Sequence, residues 1–289
     1  MKKYYIMKLG KDFVFLHDNP IVRGSRRKMF AINNNKELAM FKYEREDYQC
    51  SEACSEKIAY EIANILGYKC AKIDLAKDND NKIGVLNYYF SNPKTSFHTD
   101  IIYYLNTNID KRNEYYTISN IKKTLDIFNN NLFKEFIRIM IFDALIGEQD
   151  RHEENWGIME QNGKYFLSPL YDNGDSLLRE FQNYNTAKKY YEGKKDFDAY
   201  IYRSKTLIYK EDNKERYKHF ELIDYLYKNF PNLVVPEIKN LNKLSDEKIK
   251  TILDRIPKEL LIDQHKKFII EYIIKRRNIL MNKIDRGEN

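Results

Sequence analysis

Two polar motifs separated by a short apolar hairpin constrain this chain more than any other feature. The first motif runs from Asp150 to Asn155 (Asp-Arg-His-Glu-Glu-Asn), and the second is Asp-Asn-Gly at residues 172–174. Between them, residues 161–164 contain the Asn-Gly pair that is typical of a tight hairpin turn. Because the two predicted arms are of similar length, the chain returns beside its starting point. We therefore expect Asp172 to lie near Asn155.

A buried helix is predicted just before the first motif. Apolar residues recur at three- and four-residue steps from Leu132 to Leu145, and Gly147 can end the helix. The hairpin itself is predicted from the apolar runs 156–159 and 165–167. The predicted order is therefore helix, polar loop, hairpin and acidic turn.

This arrangement has the groups that phosphoryl transfer needs: a carboxylate to orient or deprotonate a hydroxyl, and oxygen ligands for magnesium. Asp150 is the candidate base, and Asn155 and Asp172 are the candidate metal ligands. Either motif alone is equally typical of a capped turn or a surface bend. Their ordered occurrence across a hairpin favours chemistry.

A second cluster lies in the first part of the chain. Lys42 belongs to a predicted strand, and the helix that follows has an apolar stripe from Ile58 to Leu66. Glu56 lies in the first part of that helix. A strand lysine held by a helix glutamate is how kinases fix a lysine on nucleotide phosphates. Glu61 is an alternative partner for Lys42, and the pattern does not choose between the two.

Two further segments are predicted to contact a nucleotide. Residues 23–28 (Arg-Gly-Ser-Arg-Arg-Lys) form a cationic turn around Gly24 and Ser25 that can hold phosphate, although one glycine is a weak signal. A strand over residues 83–90 predicts the lobe junction near Phe90 and Pro93. The backbone there, including Tyr88, Tyr89 and Phe90, would face the adenine. An ordinary strand followed by a turn is equally consistent with this segment.

In order and spacing, the motifs resemble the HipA-like serine/threonine kinases. The residues that carry the resemblance are Gly24 to Lys28, Lys42, Ser55-Glu56 at the start of a helix ending at Leu66-Gly67, Asp150-Arg151-His152 with Asn155, and Tyr171-Asp172. The loop with Asp150 is also similar to that of phosphatidylinositol kinases.

The resemblance implies an α+β, two-lobed protein-kinase-like fold with ATP and Mg²⁺ as cofactors. It implies that Asp150 is the catalytic aspartate, that Asn155 and Asp172 bind magnesium, and that Lys42 binds ATP phosphates. Ser25 would lie in a loop that some members phosphorylate on themselves. A protein substrate is implied as well, and the family allows an antitoxin-like partner.

The predicted domains are a nucleotide-binding lobe of sheet plus one helix (1–91) and a mainly helical catalytic lobe (92–289). Helical patterns recur in residues 220–230, 245–256 and 263–284, whereas residues 177–218 are polar, tyrosine-rich and without a clear period. That unassigned segment occupies the place of an activation segment or a substrate-binding insert.

The formal charge of +7 could suggest a nucleic-acid ligand. The cations from Lys266 to Lys283, however, surround an apolar helical stripe, so we interpret most of them as a solvated helix face and do not expect nucleic acid as a direct ligand. Cys50, Cys54 and Cys70 are predicted to be free thiols. His152 is predicted to be a structural histidine that bonds to the backbone.

The chain lacks an apolar stretch near eighteen residues and a signal core, which predicts a soluble cytoplasmic protein without a membrane partner. Three functions stay open: a protein kinase acting on Ser or Thr, a kinase for a small molecule or lipid headgroup, and a nucleotide- or nucleic-acid-binding regulator without catalysis. The set of Lys42, Asp150, Asn155 and Asp172 argues against the third, since a pure binder needs no base.

Overall fold

The computed structural model describes residues 2–16, 27–44, 52–91, 96–105, 111–129, 131–178, 181, 183–212 and 214–285. The strands within these residues are β1 (Met7–Lys8), β2 (Phe13–Phe15), β3 (Lys28–Asn33), β4 (Leu38–Tyr43), β5 (Ile73–Lys77), β6 (Ile83–Tyr88), β7 (Ser96–Asp100), β8 (Gly157–Gln161), β9 (Lys164–Leu167), β10 (Lys205–Tyr209) and β11 (Arg216–Lys218). The helices are α1 (Glu52–Leu66), α2 (Arg112–Tyr115), α3 (Ile118–Asp126), α4 (Leu132–Ile146), α5 (Tyr184–Tyr191), α6 (Phe197–Arg203), α7 (His219–Asn229), α8 (Pro231–Asn240), α9 (Asp246–Arg255) and α10 (Asp263–Asp285).

A six-stranded sheet and α1 form the sheet lobe. The strand order is β1-β5-β6-β4-β3-β2, with β1 parallel to β5 and the other neighbours antiparallel. Side chains alternate between the two faces of a strand. Val85 of β6 therefore packs with α1 in one hydrophobic core, while Phe41 of β4 and Leu86 of β6 belong to a second core on the opposite face. Lys42, next to Phe41, points to the α1 side.

The remaining helices and two small sheets form the helical lobe. Its centre is α4, which is buried on nearly all sides and packs against α3, α7, α8 and α10. Strands β7, β8 and β9 form an antiparallel sheet beside it. Asn162 and Gly163 at the β8–β9 turn have φ of 53° and 72°, the left-handed pair that a type I′ hairpin turn requires. The predicted hairpin is confirmed.

Two contacts of α1 and one of the amino-terminal segment tie the sheet lobe to the helical lobe. Near the start of α1, the Cys54 thiol lies 3.9 Å from the Leu260 carbonyl oxygen. At its end, Asn240 Nδ2 donates to the Leu66 carbonyl at 2.8 Å. The amino-terminal segment adds a third contact, because the Tyr4 N–H donates to the Arg255 carbonyl at 2.8 Å. Helix α1 therefore belongs by topology to one lobe and by contacts to both.

The three predicted carboxyl-terminal helices are confirmed as α7, α9 and α10 within a residue of their predicted ends. The unassigned segment 177–218 contains α5, α6, β10 and β11. Helix α8 was not predicted, and its interior contains Pro236, a residue that normally interrupts a helix. Most cations of α10 are at least partly exposed as predicted, but Lys266 and Arg276 are buried. In the part of the chain that the structure describes, every helix is too short or too polar to cross a membrane.

Candidate active site

The polar loop begins where α4 ends. Gly147 caps the helix with φ of 73°, and its N–H donates to the Asp143 carbonyl at 2.8 Å. A β-carbon at this position would lie 1.9 Å from the Tyr272 hydroxyl oxygen. Only glycine therefore allows α4 to end here with the chain turning directly into the loop.

Asp150 is half-buried and its backbone is held from both sides. Its N–H donates to Glu148 Oε1 at 2.7 Å, and its carbonyl accepts from the His152 N–H at 2.7 Å and from Asn155 Nδ2 at 2.9 Å. Because Asn155 uses its amide nitrogen on this carbonyl, its Oδ1 is the atom of that side chain suited to a cation. The loop thus places a carboxylate and an amide oxygen on one tight turn.

Lys42 lies at the centre of a buried ion cluster. Its side chain is 7% exposed, its Nζ lies 3.3 Å from Glu56 Oε1, and it also contacts the Asp172 carboxylate. The second oxygen of Glu56 accepts from the Asn173 N–H at 2.9 Å. Glu61 instead pairs with Lys57 at 2.9 Å. The partner of Lys42 on α1 is therefore Glu56, and a buried ammonium group gains the counter-charges that it needs.

Arg151 connects the polar loop to the acidic turn. It is 4% exposed, and its Nη2 pairs with Asp143 of α4 at 2.9 Å. Its Nη1 donates to the carbonyls of Asn155 at 3.2 Å and Tyr171 at 2.7 Å. The chain on either side of the hairpin is thus brought together by one guanidinium group, and Asn155 and Asp172 lie on the two segments that it joins.

Several carboxyl groups surround this guanidinium. Although burial acts to lower the pKa of Arg151, Asp143 and Glu148 raise it above its usual value. Burial raises the pKa of Asp143, against the opposite effect of Arg151. Burial also raises the pKa of Glu148 well above its usual range, and the nearby Asp143 and Asp175 add to this rise. The acids around Arg151 thus favour its charged form, whereas burial opposes the charged forms of Asp143 and Glu148.

In the segment predicted to face the adenine, fewer backbone groups are available to a ligand than expected. The N–H groups of Tyr88 and Tyr89 donate to the carbonyls of Lys72 and Leu38, each at 2.9 Å, so both are used within the sheet lobe. The ring of Tyr88 lies on the face away from α1. Phe90 stacks on Tyr171, with ring centres 5.5 Å apart. A cavity of about 530 Å³ lies beside this segment, lined by residues that include Leu38, Cys70, Lys72, Tyr89, Phe90 and Ser91.

An apolar strip beside Lys42 was not predicted. Phe30 pairs with Met40, and Ile32 with Leu38, so that all four side chains share the face of Lys42. They are half-buried and belong to neither hydrophobic core among the described residues. The sequence signal for these four residues was their spacing of two along β3 and β4, which places them on one face of the sheet. A flat apolar surface next to a buried lysine suits a nucleobase with its phosphates.

Four polar residues of the site were also not predicted as functional: Asp143, Glu148, Arg151 and Asn173. Asp143 could have been found, because it is an acidic residue in the otherwise apolar stretch from Ile139 to Ile146. The other three acquire their partners only in three dimensions. Gly24 and Ser25 lie outside the described residues, as do residues 92 and 93 of the predicted lobe junction.

The structure also decides two smaller predictions. His152 Nδ1 accepts from the Glu154 N–H at 3.2 Å, which confirms a backbone-bonded histidine. Cys54 and Cys70 are thiols rather than half-cystines, and burial raises the pKa of the Cys70 thiol to about 12. Cys50 lies outside the described residues.

Comparisons with known proteins extend over most of the chain. The family of HipA-like C-terminal domains matches residues 21–254. The chain is 24% identical to the serine/threonine-protein kinase CtkA of Helicobacter pylori, over 94% of this chain and 86% of that protein.

Solved structures show the same fold. The H. pylori proinflammatory kinase CtkA superposes with a TM-score of 0.80 at 20% identity, covering 98% of this chain and 99% of the other. HipA of Shewanella oneidensis, solved with HipB and operator DNA, gives a TM-score of 0.58 at 15% identity, covering 92% of this chain and 65% of the other. The predicted two-lobed, kinase-like α+β fold is confirmed.

Proposed function

Because the chain belongs to the family of HipA-like C-terminal domains, we propose that it is a magnesium- and ATP-dependent kinase that phosphorylates Ser or Thr of a protein. One observation carries the proposal. The Lys42–Glu56–Asp172 cluster is joined through Arg151 to the loop that bears Asp150 and Asn155. The likeness to CtkA, a serine/threonine-protein kinase, supports the same activity.

The donor set fits magnesium, since the Asp172 carboxylate and the Asn155 amide oxygen are the hard oxygen ligands that this cation prefers. Bound magnesium would neutralise charge on the nucleotide phosphates. For the nucleotide to bind, Lys42 would move from Asp172 to the phosphates and keep Glu56 as its anchor. The apolar strip of Phe30, Ile32, Leu38 and Met40 would cover the base.

Asp150 would orient the acceptor hydroxyl and take its proton as the new oxygen–phosphorus bond forms and the bond between the γ-phosphorus of ATP and the departing ADP oxygen breaks. The backbone of Asp150 is bonded at both its N–H and its carbonyl, so its carboxylate is carried by a rigid turn. This rigidity is what positional catalysis requires, because small displacements of a reacting group reduce the rate strongly.

The decisive experiment is incubation of the purified protein with labelled ATP and magnesium, with and without cell lysate, followed by mass spectrometry of all phosphorylated species. Phosphoserine or phosphothreonine in proteins supports the proposal. Label in lipids or small molecules supports the second candidate class, and nucleotide binding without transfer supports a regulator. An antitoxin-like partner, suggested by the complex of HipA with HipB, would be sought in the same lysate.

Two variants test the base. Asp150→Asn should reduce transfer by about 10²–10⁴-fold, the usual contribution of a general base. Glu154→Gln is the matched control, because Glu154 is an exposed acid on the same loop, and it should retain wild-type transfer. Full activity in folded Asp150→Asn protein would remove Asp150 from the mechanism.

The metal ligands are tested by titration calorimetry with ATP and magnesium. Asp172→Ala should weaken magnesium-dependent binding more than Asn155→Ala, since only the carboxylate offers a charge. Equal binding by Asp172→Ala and wild-type protein would contradict this assignment.

Ser25 is proposed as an autophosphorylation site that lowers activity. A phosphate there adds about −1.5 to −2 charges close to Arg26, Arg27 and Lys28 and could draw the loop away from ATP. Peptide mapping after ATP incubation tests it, together with the ATP affinity of Ser25→Ala and Ser25→Asp. An unmodified Ser25 in an active preparation, or equal affinities of the two variants, contradicts the proposal.

A further inference from the structure

Asn173, directly after the proposed metal ligand Asp172, contacts both halves of the site. It is fully buried. Its backbone N–H donates to Glu56 Oε2 at 2.9 Å, and Glu56 in turn pairs with Lys42. Its side-chain Oδ1 accepts from Arg151 Nη2 at 2.6 Å. One asparagine thus links the lysine–glutamate pair of the sheet lobe to the arginine of the polar loop.

The backbone of Asp172 needs such support. Asp172 has φ of 54°, in the left-handed region that residues other than glycine adopt at an energetic cost. Such a conformation persists only where the surroundings hold it. Arg151 contacts the residue on each side of Asp172, through the Tyr171 carbonyl at 2.7 Å and Asn173 Oδ1 at 2.6 Å. The guanidinium therefore holds Asp172 from both directions along the chain.

A planar guanidinium suits this task better than an ammonium group. Arginine has five donors in a fixed fork, whereas lysine has one nitrogen. Arg151 directs Nε and Nη2 to the Asp143 carboxylate, Nη2 also to Asn173, and Nη1 to two backbone carbonyls. These acceptors lie in different directions, so that a single nitrogen could not reach all of them.

The neutral character of Asn173 has a reason as well. Arg151 already interacts with Asp143, Glu148 and Asp172. A further carboxylate would add negative charge to a site that is buried, whereas an amide oxygen accepts the same hydrogen bond without it. Asn173 Nδ2 has no hydrogen-bond partner among the described residues. The side chain is therefore explained by its acceptor oxygen alone.

We propose that Asn173, acting through Arg151, is the positioning residue that holds Asp172 in its left-handed conformation and thereby sets the affinity of the site for magnesium. The magnesium part of this inference rests on the proposed function, but the backbone part does not. A contact that orients a metal ligand typically changes metal affinity by about 10–100-fold when it is removed.

The test compares Asn173→Leu, which removes the acceptor at similar size, with Asn240→Leu. Asn240 is a matched control because it also loses one side-chain hydrogen bond, to the Leu66 carbonyl, away from the site. Two quantities are measured in each variant: backbone amide exchange of residues 171–174, and ATP affinity with and without magnesium.

Asn173→Leu should exchange these amides about tenfold faster, as expected for a loosened segment, and should lose about 10–100-fold in magnesium-dependent ATP affinity. Its ATP affinity without magnesium should equal that of wild type. A general loss of stability would instead weaken ATP binding under both conditions. Asn240→Leu should match wild type in both quantities. Asn173→Ala removes the same acceptor without adding an apolar branch and should show the same faster exchange.

Wild-type exchange at residues 171–174 in folded Asn173→Leu protein would overturn the inference, as would equal effects in Asn240→Leu. Wild-type exchange at these residues in Asn173→Ala protein would also overturn it, and this variant decides the matter if leucine prevents folding. Wild-type protein that binds no magnesium–ATP would refute the proposed function alone. In that case the exchange rates still decide whether Asn173 holds Asp172.

Discussion

Two buried arginines, Arg151 and Arg276, differ in the charge of their partners. Arg151 pairs with the Asp143 carboxylate at 2.9 Å, and nearby acids raise its pKa in spite of burial. Arg276 is fully buried with neutral acceptors among the described residues, among them the carbonyls of Ala144 at 2.6 Å and Ile201 at 2.9 Å. Burial lowers the pKa of Arg276, although Tyr272 opposes this shift.

The two arginines also differ in what they join. Arg276 donates to a carbonyl in the last turn of α4, a group that the helix itself leaves without a partner. It connects the ends of regular helices. Arg151 joins irregular segments, whose backbone carbonyls are not hydrogen-bonded within a helix or a sheet. A buried cation is therefore no sign of a functional site by itself, and what distinguishes Arg151 is that its partners are acids and irregular segments.

The same substitution at both positions tests this difference. Arg151→Met should lower the free energy of unfolding by about 3–5 kcal/mol, because it leaves the Asp143 carboxyl buried without its counter-charge. Molecules that still fold should lose magnesium-dependent nucleotide binding. Urea unfolding and calorimetry measure the two effects. A stable Arg151→Met protein with normal binding would show that Arg151 has no organising role.

Arg276→Met should lower the free energy of unfolding by about 2–3 kcal/mol, since it leaves buried acceptors unsatisfied but no unpaired charge. The nucleotide affinity of the folded fraction should stay at the wild-type value. Calorimetry at a temperature where the variant is folded checks this. Loss of affinity as large as in Arg151→Met would abolish the distinction between the two arginines.

The pH dependence of stability tests His219, which lies between Arg151 and Arg276. Its Nε2 donates to the Glu148 carbonyl at 2.7 Å, and its Nδ1 lies 3.0 Å from Ser204 Oγ, which accepts from Arg276. Burial, together with Arg276, lowers the pKa of His219 from 6.5 to about 3. As the pH falls, His219 takes up its proton in the unfolded chain before it does so in the folded protein. The contribution of His219 to stability is therefore complete above the unfolded pKa and decreases as the pH falls below it.

Lowering the pH from about 7 to about 5 should therefore reduce the His219 contribution to the free energy of unfolding by about 2 kcal/mol. Unfolding curves at several pH values measure the slope for wild type and His219→Gln. The variant should show a shallower dependence on pH over this interval. An unchanged slope would mean that His219 is not the group responsible.

Gly147→Ala should lower the free energy of unfolding by about 1–2 kcal/mol through the left-handed backbone alone, and the clash of the new β-carbon with the Tyr272 hydroxyl adds to this cost. The clash part should be relieved in a Tyr272→Phe background, whereas the backbone part should persist. Thermal unfolding of wild type, Gly147→Ala, Tyr272→Phe and the double variant separates the cost of the clash from that of the backbone. Equal stability of Gly147→Ala and wild type would show that the end of α4 adapts.

Local patterns predicted the elements that carry the site, and the remaining features depend on contacts between distant segments. The Asn162-Gly163 turn and the end of α4 at Gly147 were predictable because the turn chemistry is local. The choice of Glu56 over Glu61 depends on how α1 is placed on the sheet. The partners of Arg151 and Asn173 come from segments far apart in sequence, so no short-range pattern could predict them.

Residues 177–218 show the same limit. Their helices are short, and Tyr190 and Phe197 pack around Phe181. Phe181 and Phe197 in turn contact Phe268 of α10. Such elements are stabilised by tertiary contacts rather than by their own periodicity. The resulting pattern contains too few turns to be recognised in the sequence.

The attachment of α1 to both lobes has a mechanical consequence. The helix is anchored near its start to Leu260 and at its end to Asn240, with Glu56 close to the first anchor. A rotation of α1 that separated Glu56 from Lys42 would strain or break these anchors as well. Helix α1 therefore acts as a strut between the lobes rather than as a lever, because its displacement would have to break contacts near both of its ends.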